Sequence, residues 1–234
     1  MVCEQCRTIP GEPSIAWGAS CPHVLLTGSR TENVAFRELF DSVVEPHERG
    51  GRPIRMGFVL DIVGYGRRDT PAKESLQRRL AGVARMVFDD LGVPLSDIEC
   101  QGTGDGLLVV LPARLDVQRV LPVLLQAMAE RLALDNALSH DQMRVRMAVD
   151  VGPVSLTELG FGGAMVTNMG RLLDSRPLRR WEAEHRERDL AVAVSDSLHR
   201  FVVAEGVPAL AREQFTRVQV RSKELSTAAW LWTR

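Results

Sequence analysis

The chain has 234 residues, 45% of them hydrophobic, and its 29 basic and 30 acidic residues give a formal net charge of −1. That length and apolar content suffice for one well-packed core with a small appendage, and the balanced charge excludes the strong basic field of a typical nucleic-acid-binding protein. No apolar run is long enough to span a bilayer and the N-terminus has no apolar signal region, so we predict a cytoplasmic protein that binds neither nucleic acid nor membrane.

The first 54 residues differ in composition from the rest and are rich in glycine, proline, serine and threonine. We expect an N-terminal extension over 1–54, partly disordered, with one helix over TENVAFRELFDSVVE (31–45). Four residues of types that bind zinc lie there: Cys3, Cys6, Cys21 and His23. The second pair has an unusual spacing for a zinc site, so free thiols are the favoured interpretation and zinc remains an alternative. A breaker-rich linker, PHERGGRP (46–53), precedes a regular domain predicted over 55–234.

A buried strand and a long helix begin this domain. The segment MGFVLDIVGYG (56–66) is short, β-branched and bounded by glycines, which predicts a buried strand. The segment 69–92 predicts a helix that is capped by Thr70, with Pro71 in its first turn and Gly92 after its end. Five residues form its apolar face: Leu76, Leu80, Val83, Val87 and Leu91.

Strands and helices alternate in the rest of the domain. A hairpin joins DIEC to GLLVVL through Gly104-Asp105-Gly106. A helix kinked by Pro122 and a half-buried strand over 143–154 come next. We then expect a helix that stops at Pro177, a charged solvated excursion, a strand, a helix capped by Ser195, and two terminal strands. This order predicts an α/β sandwich with a ferredoxin-like βαββαβ core and extra C-terminal strands and helices.

Two carboxylates occupy notable positions in this pattern. Asp61 lies in the first apolar strand, where an unpaired carboxylate is costly, and Asp105 lies at the hairpin tip. A turn role for Asp105, and a cap or an ion pair with Arg67 for Asp61, are the plain interpretations. If the first strand and the hairpin are neighbours, the two carboxylates converge and suit Mg²⁺ or Mn²⁺. The turn Gly64-Tyr65-Gly66 would then offer backbone N–H groups to phosphate.

Five motifs, in order, resemble the class III nucleotidyl cyclases, the catalytic domains of adenylate and guanylate cyclases. They cover about residues 55 to 234. The resemblance is carried by FVLDIVGYG, TGDGLLVVLP, VRMAVDVGPV, MVTNMGRLLDS and the closing segments VSDSLHRFV and VQVRSKE. It implies conversion of a nucleoside triphosphate into a 3′,5′-cyclic nucleotide and pyrophosphate by two-metal catalysis.

The resemblance also implies a role for individual residues. Asp61, Asp105 and the backbone carbonyl of Ile62 would hold two Mg²⁺ or Mn²⁺ ions. Arg171 would stabilise the transition state, and Lys223 would contact the triphosphate. Because the family site takes its metal ligands from one subunit and its asparagine and arginine from the other, a homodimer is implied.

The sequence departs from the family pattern in three places. The catalytic asparagine of the family falls at Thr167, and Asn168 is one step later, about 100° away around a helix. The family Ser/Thr of the first motif falls at Gly66. The two base-contacting positions fall at Gln101 and near Gly160, and since glutamine can donate and accept, the base is left open.

Stand-alone bacterial cyclases that make cyclic UMP or CMP as an anti-phage signal are similar in kind. We therefore expect a pyrimidine product at least as strongly as a purine one, and a separate protein as the cyclic-nucleotide effector. The alternative function is a catalytically degenerate cyclase-like domain that binds a nucleotide or acts as a regulatory dimerisation module. A diguanylate cyclase is disfavoured because the hairpin is Gly-Thr-Gly-Asp-Gly instead of the glycine-rich acidic motif of that family.

Overall fold

The structure is a computed structural model that describes residues 53–158, 160–222 and 225–233. The helix predicted over 31–45 and the possible zinc ligands lie outside the described residues, as does Lys223. Within the described part of the chain, no helix is long and apolar enough to cross a membrane.

The described residues form nine strands and five α-helices. The strands are β1 Ile54–Ile62, β2 Glu99–Gly102, β3 Gly106–Val110, β4 Val145–Pro153, β5 Ser155–Thr157, β6 Gly160–Gly162, β7 Leu190–Ser195, β8 Phe215–Ser222 and β9 Leu225–Trp232. The α-helices are α1 Thr70–Asp90, α2 Val117–Ala137, α3 Ala164–Leu173, α4 Arg176–Glu184 and α5 Asp196–Val202. A short 3₁₀ turn, Tyr65–Arg67, follows β1.

Seven strands form one sheet in the order β2-β3-β1-β4-β7-β9-β8. Strand β1 is antiparallel to both β3 and β4, and β4 is parallel to β7. The first four strands with α1 and α2 have the ferredoxin-like βαββαβ arrangement, and β7, β9 and β8 extend the sheet beyond it. The predicted fold class is confirmed, although the small β5–β6 hairpin was not expected.

Helix α3 covers one face of the sheet through its methionines. Met165 and Met169 belong to a buried apolar cluster with Val59 of β1 and Ala148 of β4. A Cβ on Gly57 would lie 3.0 Å from Met165 Cε and 2.9 Å from a β3 carbonyl, so the glycine lets the helix approach the sheet closely. This face also carries Asp61, because side chains two residues apart along a strand share a face.

Three local predictions were wrong. The cap of α1 is Asp69, whose Oδ1 accepts from the Ala72 N–H at 2.9 Å, and Thr70 is the first helical residue. Strand β4 is buried on both faces at its centre, since it lies between β1 and β7 with side chains packed above and below. Helix α3 ends at Leu173, and Pro177 lies in the first turn of α4, where proline is tolerated.

The C-terminal part of the sheet encloses a buried histidine. Ser195 caps α5 as predicted, with its Oγ accepting from the Leu198 N–H at 3.1 Å. His199 stacks on Trp230 with 3.6 Å between ring centroids, and neither ring nitrogen has a hydrogen-bond partner among the described residues. Burial lowers the pKa of His199; Arg212 lowers it further, whereas Asp196 opposes the shift.

Candidate active site

The two carboxylates singled out by the sequence meet at one edge of the β1–β3 pair. Asp61 lies opposite Gly106 of β3, and the Ile62 N–H donates to the Asp105 carbonyl oxygen at 2.9 Å. Gln77 of α1 donates to the carbonyl oxygen of Gly104 at 2.5 Å and ties the turn to the helix. The strand end and the hairpin tip are therefore neighbours, as the metal-site interpretation requires.

Gly106 permits this close approach. A Cβ at this position would lie 1.8 Å from the Leu60 carbonyl oxygen, a distance that no side chain can tolerate. Gly104, with φ +93°, supplies the left-handed conformation of the turn. Asp105-Gly106 therefore forms part of the hairpin turn, and its glycine also permits the close strand approach that the site requires.

Arg146 provides a counter-charge that the sequence interpretation missed. It lies directly opposite Asp61 across the β1–β4 pair, and its guanidinium forms an ion pair with the Asp61 carboxylate. Both side chains are mostly buried, with 15% and 14% of their surfaces exposed. A charge inside the apolar run VRMAV was the available signal, but its partner depends on strand register.

Burial raises the pKa of Asp61, and the nearby Asp105 carboxylate adds to that rise, whereas Arg146 lowers it. Two carboxylates in this position are held together against their mutual repulsion. A cation at the pair would relieve that repulsion, so the electrostatics favour positive charge here.

The residues present fit a hard divalent ion. Within the described ranges, no group of three or more His, Cys, Asp or Glu side chains is placed so that it could hold a metal ion. Mg²⁺ is commonly held by one or two carboxylates together with substrate phosphates and water. Asp61 and Asp105 supply the carboxylates, and because isoleucine has a hydrocarbon side chain, only the backbone carbonyl of Ile62 can be a ligand.

The turn after β1 exposes backbone donors next to this pair. Gly64 has φ +71°, and the chain continues into the 3₁₀ turn, where the Arg67 N–H donates to the Gly64 carbonyl at 3.1 Å. Within the part of the chain that is described, the N–H groups of Gly64, Tyr65 and Gly66 donate to no other backbone group. They are available to an anion.

Helix α3 presents two of its three predicted residues on one side. Thr167 is exposed and Arg171 is half-buried, and the two are one turn apart, so their side chains lie on the same face. Asn168 turns the other way, where its Nδ2 donates to Asp150 Oδ2 at 2.6 Å. The one-residue offset in the sequence is therefore a real difference in direction.

The hydrogen bond that anchors α3 to β4 lies some distance along the sheet from Asp61. Asp150 lies opposite Gly57, four residues along β1 from Asp61, which corresponds to about 13 Å. Met165 and Met169 of the same helix pack in the cluster that contains Val59.

Gln101 and Gly160 lie side by side. Gln101 Oε1 accepts from the Phe161 N–H at 3.4 Å, and a Cβ on Gly160 would lie 2.2 Å from the same oxygen. The two positions that the sequence associates with the base are therefore adjacent, and the glycine makes room for the glutamine.

Comparisons with known proteins bear on this arrangement. No protein-family model matches the sequence, and no curated protein matches it. Among solved structures, the catalytic core of a rhodopsin-guanylyl cyclase with converted specificity, in complex with ATPαS, is 14% identical, with a TM-score of 0.54 over 80% of this chain and 98% of that one.

Two further solved structures give the same result. The guanylate cyclase domain of RhGC from Catenaria anguillulae, in complex with GTP, is 15% identical, with a TM-score of 0.53 over 80% of this chain and 100% of that one. An adenylate/guanylate cyclase/hydrolase from Silicibacter pomeroyi is 18% identical, with a TM-score of 0.50 over 77% and 98% of the two chains. The resemblance stated from the motifs is confirmed as a likeness of fold to adenylate and guanylate cyclase catalytic domains.

Proposed function

We propose that this protein is a nucleotidyl cyclase, which converts a nucleoside triphosphate into a 3′,5′-cyclic nucleotide and pyrophosphate. The observation that carries the proposal is the pairing of Asp61 with Asp105 beside a turn with available N–H groups, in a fold similar to cyclase catalytic domains. In this reaction the ribose 3′-oxygen forms a bond to the α-phosphorus, the bond from that phosphorus to the bridging oxygen breaks, and the hydroxyl proton is released.

The predicted metal- and phosphate-binding residues after β1 and at the hairpin have a place in this reaction. Asp61, Asp105 and the Ile62 carbonyl would hold two Mg²⁺ or Mn²⁺ ions, which when bound supply charge neutralisation of the triphosphate and activation of the 3′-hydroxyl. The backbone at Gly64 and Tyr65 binds phosphate oxygens through N–H groups.

The remaining roles fall on Thr167 and Arg171 of α3 and on Lys223. Arg171 donates to the equatorial oxygens of the reacting phosphate, where negative charge develops. Thr167 lies beside Arg171 on the same helical face and orients the ribose or the phosphate through its hydroxyl. Lys223 binds the outer phosphates.

The active unit in this proposal is a homodimer with shared sites. The separation of about 13 Å along the strand between Asp61 and the anchor of α3 supports it. A carboxylate pair from one subunit would face Thr167 and Arg171 of the partner copy.

For the substrate we propose a pyrimidine triphosphate, UTP or CTP, with the base placed against Gln101. The product would be the second messenger of an antiviral response in the cytoplasm, acting on a separate effector protein. The proposal rests on similarity in kind to stand-alone pyrimidine cyclases and on the small residue at Gly160, which leaves Gln101 as the side chain that faces the base.

The direct test is product identification. Purified protein with Mn²⁺ is incubated separately with ATP, GTP, CTP and UTP, and products are identified by mass spectrometry. One cyclic mononucleotide is expected, and Asp61→Ala and Asp105→Asn should each abolish it.

A matched control is Asp90→Asn, which alters an exposed carboxylate paired with Arg131 at the far end of α1. That helix is 21 residues long, about 30 Å, so the change lies well away from the site. Cyclase activity retained in Asp61→Ala would refute the metal-site assignment, and loss in Asp90→Asn would show that the assay reports stability.

The second candidate is a binding or regulatory module without turnover. The observation that favours it is the bond from Asn168 to Asp150, which removes the only amide of α3 from its exposed face. It predicts that the wild-type dimer binds a nucleoside triphosphate, measured by calorimetry, but forms no cyclic product from any of the four nucleotides.

A further inference from the structure

A buried carboxylate lies beneath α3. Asp150 of β4 has only 4% of its surface exposed, in a strand whose one other charged residue is Arg146. Its Oδ1 accepts from the Val151 N–H at 2.8 Å and its Oδ2 accepts from Asn168 Nδ2 at 2.6 Å. Burial raises the pKa of the Asp150 carboxyl, and Ser195 and Asn168 oppose that rise. A group this costly to bury is retained only where its hydrogen bonds are satisfied.

The partner residue lies on the inner face of the helix. Asn168 is one position before the fully buried Met169 and three after Met165, which places it toward the sheet. Its Oδ1 is buried and has no hydrogen-bond partner among the described residues. The amide is therefore committed to Asp150 through Nδ2 and is turned away from the exposed face.

The apolar contacts of α3 specify its rotation weakly. Met165 and Met169 supply two of its three fully buried side chains, and methionine adapts its shape to several packings. The helix begins at Gly163 without a side-chain cap. A directional hydrogen bond to a buried carboxylate is what distinguishes one rotation of such a helix from the next.

From these contacts we propose that Asp150 and Asn168 form a positioning pair that sets the rotation of α3 and thereby directs Thr167 and Arg171 toward the substrate. Asn168 itself does not touch the substrate. The pair acts through the helix, because its hydrogen bond joins α3 to β4. The expected effect on kcat rests on the proposed cyclase activity, whereas the expected effect on the position of α3 does not.

The test compares Asn168→Ala with the exchanged pair, Asp150→Asn with Asn168→Asp, in full-length protein. In the exchanged pair the amide on β4 donates to a carboxylate on α3, so the bond is restored in reverse. The first measurement is hydrogen exchange of the α3 amides by mass spectrometry. Protection of 164–173 should fall in Asn168→Ala and recover in the exchanged pair, whether or not the protein is a cyclase.

The second measurement is kinetic, on whichever nucleotide the wild type cyclises. Because a misplacement of about 1 Å costs about 100-fold in rate, kcat per folded molecule should fall about 100-fold in Asn168→Ala with KM nearly unchanged. The exchanged pair should recover most of that loss. If Asn168→Ala does not fold, Asn168→Ser, which keeps a hydroxyl donor, should show the same losses in smaller measure.

Three results would overturn the positioning pair. Unchanged exchange of α3 in Asn168→Ala means that the bond does not hold the helix. Unchanged kcat per folded molecule means that the bond only adds stability. Recovery of protection without recovery of kcat in the exchanged pair means that Asn168 contacts the substrate directly. An inactive wild type with the expected exchange pattern refutes the cyclase proposal and leaves the structural role of the pair standing.

Discussion

The substitution Gly106→Ala tests whether the hairpin turn sets the carboxylate pair. The added Cβ would lie 1.8 Å from the Leu60 carbonyl oxygen, and ordinary contact begins at 3.4 Å, so β3 must retreat from β1 by about 1.6 Å at this point. Gly106 lies opposite Asp61, and Asp105 is its chain neighbour, so the retreat separates the two carboxylates directly.

The expected effect follows from that displacement. Overpacking of this kind costs about 1–3 kcal/mol of stability, and a shift above about 1 Å at a reacting centre costs about 100-fold in rate. We therefore expect a folded protein with Mn²⁺ affinity reduced at least tenfold and cyclase activity reduced about 100-fold. Mn²⁺ binding is measured by electron paramagnetic resonance titration, which does not depend on activity.

The matched control is Gly82→Ala on α1. A Cβ there meets nothing within 4 Å, and replacing a mid-helix glycine stabilises by about 0.5–1 kcal/mol. The same chemical change should thus raise the thermal midpoint at Gly82 and reduce Mn²⁺ affinity at least tenfold at Gly106. Wild-type Mn²⁺ affinity in a folded Gly106→Ala protein would refute the reasoning that close strand approach creates the site.

Three further predictions concern charge and specificity. Arg146→Met leaves the Asp61 carboxylate without its cation, so the free energy of unfolding of the metal-free protein should fall by about 1–3 kcal/mol. On Mn²⁺ addition the thermal midpoint of this variant should rise more than that of the wild type. Equal rises in the two proteins would contradict the role of Arg146 as the counter-charge of Asp61. Since burial lowers the pKa of His199 below its ordinary 6.5, the ring is neutral in the folded state, and its contribution to stability is full above pH 6.5 and is lost as pH falls through the lowered pKa. Between pH 7.5 and pH 5, His199→Leu should therefore lose less free energy of unfolding than the wild type, measured by urea unfolding. An identical loss in both proteins would mean that another group causes the acid destabilisation. Because Gln101 Oε1 accepts from the Phe161 N–H, the side chain of Gln101 can offer its amide N–H groups to a base. Gln101→Glu removes these donors and should change the ratio of kcat/KM for UTP to kcat/KM for CTP by about tenfold. An unchanged ratio would place the base away from this side chain.

The sequence was a good guide to the carboxylate pair and a poor one to its surroundings. Asp61 and Asp105 were predictable as candidates because a glycine-bounded strand and an Asp-Gly turn are local signals, but their convergence depended on the first strand and the hairpin being neighbours. Arg146 was missed because its pairing with Asp61 depends on strand register across 85 residues of chain. A single sequence records which side chains alternate but does not record which strand lies beside which.

The predicted cap of α1 and the predicted burial of β4 were wrong for a related reason. Thr70 and Asp69 are both good caps by type, and only the backbone conformation of Asp69 decides between them. Strand β4 was expected to be half-buried because its alternation is clean, but a central strand with packed layers on both sides buries its second face regardless. Asp150 is the residue most affected, since its burial became evident only when β4 was found between β1 and β7.

Two residues that depart from the cyclase motifs each lie against a neighbouring residue in this structure. The side-chain oxygen of Gln101 would lie 2.2 Å from a Cβ on Gly160, so a larger residue at 160 would displace the glutamine amide. Asn168, displaced from the exposed face, is bonded to a carboxylate that is buried beneath it. Both unusual residues are thus accommodated by a neighbour in the fold. Product formation by the wild type, and not this packing, distinguishes an active enzyme from a binding domain.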